Sequence, residues 1–92
     1  MASAFVIISE IKSRLQQSRH PPWHFGLTND PTERRKYWGI KHRADLTRWR
    51  EWEVDSISAA RTVEGYFSGE SLLAGGTGGS LVAHATVFVY IF

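Results

Sequence analysis

The stretch FGLTNDPTERRKYWG, residues 25–39, carries the strongest local structural signals in the chain. Its apolar first half is typical of a strand that ends before the turn residues. Asp30 is a favourable N-cap, Pro31 suits the first helical position, and Glu33 completes a capping box. Gly39 then predicts the end of the helix. The stretch therefore predicts a strand, a tight turn and a short helix.

Amphipathic helices are predicted on both sides of this unit. Apolar residues at helical spacing predict the first helix over about Ser3–Ser18. The segment DSISAARTVEGYF predicts another, with Asp55 or Ser56 as its cap and an apolar stripe on one face. A glycine-rich loop is expected over residues 75–80.

Two further segments have strand character. In LTRWREWEV, Leu46, Trp49 and Trp52 fit one helical face, whereas alternation and the β-propensity of Trp and Val favour a strand over about Arg48–Val54. The segment ATVFVYIF is apolar at consecutive positions, which predicts a central strand. Helices thus alternate with strands along a short chain. We expect one α+β domain over residues 1–92, with a small three-stranded sheet packed against about three helices.

The composition is that of an ordinary soluble protein with extra aromatic residues. Cysteine is absent, which excludes disulfides and thiolate metal sites. The first residues lack the basic leader and cleavage site of a signal peptide, and no apolar run is long enough to span a membrane. We expect a cytoplasmic protein with no membrane partner.

Positive charge is concentrated in one part of the chain. Most of the Lys and Arg lie between positions 34 and 50, where Asp45 is the only acidic residue. Such a field attracts anionic partners, DNA or RNA backbone above all, although a solvated face gives the same pattern. Trp49, with Arg48 and Arg50, either packs on the sheet or stacks on bases. The residues expected to bind nucleic acid are Arg35, Lys36, Lys41, His42, Arg43, Arg48 and Arg50.

A candidate catalytic site also begins in the opening stretch. Gly26 at a strand end permits close approach of a ligand, and Arg34 follows one turn into the next helix. Glu64 lies at the border of the apolar stripe of the last helix, as a paired surface acid or as the wall of a cleft. Together, Arg34 and Glu64 suggest a charge clamp and a metal ligand for one phosphate.

The segment HFGLTNDPTERRKYWG resembles the second motif of the GIY-YIG nuclease family. In that motif a strand ends in aromatic–x–Gly, and a helix carries an essential arginine eight residues after the glycine, which here is Arg34. Glu64 matches the metal-binding glutamate of the family's later helix. The resemblance covers roughly Trp23 to Phe67.

The chain departs from the family pattern at several positions. His24 replaces the first tyrosine of the YIG-like triplet, and Tyr37 or Trp38 stands where a histidine or aromatic residue is expected. No GIY strand precedes the motif. A circular permutation would place the C-terminal strand there, with Tyr90 as the GIY tyrosine; alternatively, Tyr90 is a core ring.

The resemblance implies a metal-dependent endonuclease that hydrolyses phosphodiesters. Glu64 would hold one divalent ion, Mg²⁺, and Arg34 would neutralise charge on the phosphoryl group. His24 or a tyrosine, Tyr37 or Tyr90, would deprotonate the attacking water. Two alternatives remain open: a non-catalytic domain that binds DNA or RNA, and a protein-interaction module, such as a homodimer, that covers an exposed sheet edge.

Overall fold

The computed structural model describes residues 2–17, 23–67, 73–74 and 85–92. The glycine-rich segment 75–80 and the expected end of the first helix at Ser18 lie outside these ranges. In chain order the elements are helix α1 (Ala4–Gln17), strand β1 (Trp23–Thr28), helix α2 (Pro31–Lys36), a π-helix (Tyr37–Lys41), strand β2 (Arg50–Glu53), helix α3 (Ile57–Phe67), strand β3 (Leu73–Ala74) and strand β4 (Phe88–Ile91).

The helices begin where the sequence places their caps. The Asp30 carboxylate accepts a hydrogen bond from the Glu33 amide at 3.1 Å, and Pro31 is the first residue of α2. The Ser56 hydroxyl accepts from the Ala59 amide at 3.1 Å, which starts α3. Each bond satisfies an amide that has no partner inside its helix, so the starts of α2 and α3 are defined by local sequence.

Strand β4 lies at the centre of the sheet. The strand order is β2-β4-β1-β3, and β4 is antiparallel to both β1 and β2. The two-residue strand β3 adds to β1 in parallel. The expected α+β fold, with three antiparallel strands and three α-helices, is confirmed, and so is the central position of the apolar strand.

The sheet has two different faces because neighbouring residues of a strand point to opposite sides. Phe25 and Leu27 of β1 share one side, here the core face, with Val89 and Ile91 of β4 and with Trp52 of β2. Helices α1 and α3 cover this face. The buried residues they contribute to the core are Ile7, Ile11, Leu15, Ala60, Val63 and Phe67.

The opposite side of the sheet, here the α2 face, carries Gly26 and Tyr90. Tyr90 and Phe92 are both buried, yet neither belongs to the core cluster beneath α1 and α3. Their cover comes from Arg34 of α2, Trp38 of the π-helix and Trp49, which precedes β2. The sheet therefore separates a purely apolar core from a second, aromatic and basic layer.

Two predicted boundaries are corrected. Gly39 does not end the helix, because the chain continues from α2 through a π-helix to Lys41. The strand expected over Arg48–Val54 is shorter, Arg50–Glu53, and Val54 forms an isolated bridge with Ala2. Within the described ranges, no helix combines the length and apolar character needed to cross a membrane.

Helix α1 is tied to the sheet by a polar contact as well as by apolar packing. The Trp52 indole Nε1 donates to the Glu10 carboxylate Oε2 at 2.7 Å, and the Trp52 side chain is buried. We expect Glu10→Ala to lower the free energy of unfolding by about 1–3 kcal/mol, because the indole donor loses its partner. Urea unfolding measures this. Glu10→Gln keeps an acceptor oxygen and should cost less than half as much; equal losses would contradict the role of this bond.

Candidate nucleic-acid interface

The centre of the α2 face is a close approach between Gly26 and Tyr90. The two residues pair across β1 and β4, and the Tyr90 ring lies over the Gly26 Cα. A Cβ at position 26 would overlap the Tyr90 hydroxyl and would lie 2.7 Å from Cε1 of the ring. The absence of a side chain at Gly26 is therefore what lets the Tyr90 ring lie flat against β1.

Tyr90 holds the basic helix against the sheet. Its hydroxyl oxygen accepts a hydrogen bond from Arg34 Nε at 3.2 Å and another from Trp38 Nε1 at 3.2 Å. Arg34 and Trp38 are four residues apart, so the continuous helical path places both on one side. The two bonds fix the helix relative to β4 at a point where the sheet offers no apolar ridge.

Trp38 is the hub of this layer. Its ring packs against four other rings at centroid distances of 4.9 to 5.6 Å, and the Arg34 guanidinium lies 5.7 Å from its centroid. The four rings belong to His24, Tyr37, His42 and Phe92. Four of the five residues predicted to be catalytic, namely Arg34, His24, Tyr37 and Tyr90, are thus brought together around Trp38.

Arg34 is held in place by an aromatic ring as well as by Tyr90. Its guanidinium carbon lies 4.4 Å from the Tyr37 ring centroid, a cation–π distance. The Tyr37 hydroxyl lies 3.0 Å from His42 Nε2. Among the described residues, the only side-chain bond of Arg34 is the one from Nε, so both terminal amino groups are left for a ligand. These contacts fix the plane of the guanidinium before any ligand arrives.

His24 is enclosed between rings. It stacks on Phe92 with centroids 4.7 Å apart and planes within 5°, and the backbones of the two residues exchange hydrogen bonds of 2.7 and 3.0 Å. Burial, and then the positive charge of Arg48, lower the pKa of His24 below its usual 6.5. The neutral imidazole is therefore the form that this layer accommodates.

Glu64 is attached to the other side of the sheet. Phe67 of the same helix contacts Phe25 at 6.1 Å between ring centroids, and Phe25 points to the core face, opposite to its neighbour Gly26. Helix α3 and the Arg34 side chain thus lie on opposite faces. This arrangement contradicts the expectation that Arg34 and Glu64 face one concavity.

The geometry at Glu64 does not fit the expected Mg²⁺ ligand. Its Oε1 is 3.0 Å from Arg61 Nη1, in an ion pair on the surface of α3. Magnesium prefers several oxygen ligands at short distance, from one or two carboxylates and from phosphate. No cluster of three or more His, Asp or Glu side chains suited to a metal occurs in the part of the chain that the structure describes. The Mg²⁺ site stays a prediction.

The predicted basic surface is divided between the two faces. Arg35 and Lys36 lie on α2 and are exposed, and Arg35 is 5.9 Å from the ring centroid of Trp49 on the α2 face. Arg48 and Arg50 instead lie over Trp23 and Trp52, which belong to the core face. Of the expected nucleic-acid-binding set, the residues on this side are Arg35, Lys36, Lys41, His42 and Arg43, on α2, the π-helix and the following turn, and Arg34, predicted to be catalytic, joins them there. We call these six residues the α2 surface.

Among the described residues, no cation of the α2 surface forms an ion pair with a carboxylate. Between residues that are both described, the only ion pair joins Arg61 to Glu64, on the opposite side of the sheet. Asp45, the one acid of this segment, accepts hydrogen bonds from the Thr47 amide at 3.0 Å and hydroxyl at 2.8 Å, which lower its pKa. These bonds hold the ionised Asp45 carboxylate in its own turn.

Sequence reasoning overlooked Phe92 and gave Trp38 only a minor place. Phe92 follows Tyr90 by two residues, so strand alternation was a usable signal for a shared face. Trp38 follows Arg34 by four residues on a helical segment. Neither signal shows which residues Phe92 and Trp38 contact across the sheet, because those contacts depend on the pairing of β4 with β1.

Comparison with protein-family models, with curated proteins and with solved structures finds no match for this chain. The resemblance to GIY-YIG nucleases therefore stays a hypothesis. The arrangement of Gly26, Arg34 and Tyr90 is compatible with it, because the Tyr90 hydroxyl does point at the other two residues.

We expect Gly26→Ala to destabilise the protein by roughly 2–4 kcal/mol, because the new Cβ displaces Tyr90 and breaks its bonds to Arg34 and Trp38. Denaturant unfolding measures the loss. Gly65→Ala on α3 is the matched control, since nothing lies within 4 Å of its Cβ position, and it should be neutral or stabilising. In a Tyr90→Ala background the cost of Gly26→Ala should largely disappear. An undiminished cost there would rule out the proposed overlap.

The depressed pKa of His24 gives a pH dependence with a definite sign. The unfolded chain binds a proton at His24 more readily than the folded one, so this residue contributes stability above about pH 6.5 that is lost as the pH falls through the folded pKa. The free energy of unfolding, measured from pH 7.5 to 5, should fall less steeply for His24→Gln than for the wild type. Parallel curves for the two proteins would show that His24 is not the cause.

Proposed function

We propose that this chain binds the phosphate backbone of nucleic acid through the α2 surface, as a non-catalytic binding domain. One observation carries the proposal: the cations of this surface are grouped on one side of the sheet and, within the described residues, none of them pairs with a carboxylate. A polyanion releases its condensed counterions when it meets such a surface, which makes binding favourable and dependent on salt. The chain's net charge of +2 alone would not provide this local field.

Arg34 supports the proposal through its geometry. The hydrogen bond to Tyr90 uses only Nε, and the guanidinium carbon lies over the Tyr37 ring, 4.4 Å from its centroid. The edge that carries the two terminal amino groups matches the paired oxygens of a phosphate. Because Arg34 is already ordered, phosphate binding there costs less side-chain entropy than binding by a free arginine.

The test compares variants that remove the same charge from different sides. Arg35→Gln with Lys36→Gln removes two charges from α2, and Lys12→Gln with Arg14→Gln removes two from α1. Fluorescence anisotropy with a labelled oligonucleotide duplex, over a series of salt concentrations, gives the affinity and its salt slope. We expect the α2 variant to bind more weakly and to lose about 1.8 from the slope of log K against log salt.

The α1 variant should bind like the wild type. Equal weakening by the two variants would show that net charge, and not the α2 surface, attracts the nucleic acid. If the wild type binds neither the duplex nor a single strand at physiological salt, the proposal fails. A mass that rises with protein concentration under those conditions would instead favour the protein-interaction or homodimer alternative.

Phosphodiester hydrolysis is a second candidate function, and one observation favours it. The C-terminal strand β4 pairs antiparallel with β1 and brings Tyr90 to Gly26 and Arg34, as the resemblance to GIY-YIG nucleases with a permuted first strand requires. The same preparation, incubated with supercoiled plasmid and Mg²⁺, tests this candidate beside the binding assay. Cleavage that Arg34→Lys abolishes, and that Glu64→Ala on the opposite face of the sheet leaves unchanged, would support the enzyme at this site. Binding without cleavage supports the non-catalytic domain.

A further inference from the structure

A row of parallel rings crosses three strands on the α2 face. His24 of β1 stacks on Phe92 at 4.7 Å, and Trp49, just before β2, stacks on Phe92 at 5.5 Å with planes within 20°. Trp49 also lies 4.8 Å from the Tyr90 ring, with planes within 10°. Packing on one apolar layer would tolerate tilted rings. Here each ring instead offers its flat face to the next.

Trp49 is the outer end of this row. It precedes β2, which is the edge strand next to β4. One face of its indole is packed on Phe92 and Tyr90, and the side chain remains partly exposed. The Trp49 indole Nε1 donates to the Glu51 carboxylate at 2.9 Å, which fixes the rotation of the ring. The row therefore ends in an oriented aromatic surface at the edge of the sheet.

The α2 surface adjoins this ring. The guanidinium carbon of the exposed Arg35 lies over the Trp49 ring, 5.9 Å from its centroid. Proteins that bind single strands combine cations along the backbone with aromatic side chains on which the bases stack, so an aromatic ring next to a cation can hold both parts of a nucleotide at once. A surface that reads only phosphates needs no such plane.

We propose that Trp49 stacks on an unpaired base, and that the preferred ligand is single-stranded nucleic acid. This inference rests on the proposed function, since the α2 surface supplies the phosphate contacts. In a duplex each base is paired and stacked on its neighbours, so its flat face is not accessible to Trp49. A single strand presents base faces and phosphates together, and stacking tolerates any base because every base has a π-face.

The test uses three labelled probes of equal length, about 12 nucleotides, within the range of known single-strand sites. They are a single strand, an abasic single strand with the same phosphates, and the duplex. We expect the wild type to bind the single strand roughly five- to a hundredfold more tightly than the abasic strand. Trp49→Leu keeps an apolar side chain on Phe92 but lacks the π-face, so it should lose that ratio and keep its abasic affinity.

Glu51→Ala provides an independent variant. If Glu51 acts only through its charge, its removal should strengthen binding to all three probes, because a negative group near the cations disappears. If it positions the Trp49 ring, the ratio of single-strand to abasic affinity should fall. Thermal unfolding of each variant separates loss of the fold from loss of the stack, and the wild-type ratio needs no variant at all.

The two proposals fail in different ways. Equal wild-type affinity for the single strand, the abasic strand and the duplex would overturn the stacking inference and leave phosphate binding intact. A wild type that binds none of the probes would overturn the proposed function itself. A ratio that Trp49→Leu leaves unchanged in a folded protein would place the base contact elsewhere and overturn the role of Trp49.

Discussion

The close packing of the Tyr90 ring against the Gly26 backbone is the constraint on which the α2 face depends. The Tyr90 ring stacks on Trp49 and lies against the Gly26 backbone, where a side chain would overlap it. In this position the Tyr90 hydroxyl accepts hydrogen bonds from Arg34 of α2 and from Trp38 of the π-helix. The Arg34 guanidinium and the Trp38 indole both hydrogen-bond to that oxygen, which fixes their positions and those of the rings packed around them. A side chain at position 26 would change the layer without touching any charged residue.

The core face and the α2 face of the sheet have different roles. The core face carries aliphatic side chains together with Trp23, Phe25 and Trp52 under α1 and α3, and this burial is the main source of stability. The α2 face carries rings that pair with cations, hydroxyls and one another. This division explains why Glu64 and Arg34, which sequence reasoning combined into one clamp, are attached to different sides. It also explains why Arg48 and Arg50, although close to α2 in sequence, lie over rings of the core face.

Features that depend on residues close together in sequence could be predicted from the sequence. The cap at Asp30, the cap at Ser56 and the central position of β4 depend on local patterns, and all three are found. Gly39 shows the limit. A glycine there is a valid local stop, but Trp38 Nε1 bonds to Tyr90, and the chain continues as a π-helix past the glycine. That bond joins residues that are far apart in sequence, and no local pattern contains it. The same reason explains why the positions of Glu64 and Arg48 were not predicted.

Gly26 also selects the pairing between two distant segments. Thr28 pairs with Phe88 and Gly26 with Tyr90, so a long loop must close before the sheet gains its hydrogen bonds, and such non-local pairing is slow. A slip of two residues would bring the tyrosine ring against the side chain of His24 or Thr28. A slip of one residue would turn β4 over and expose its aliphatic side. The missing side chain at position 26 therefore accommodates the Tyr90 ring in only one register of β4 against β1. Sheets with another register are disfavoured while the protein is still folding.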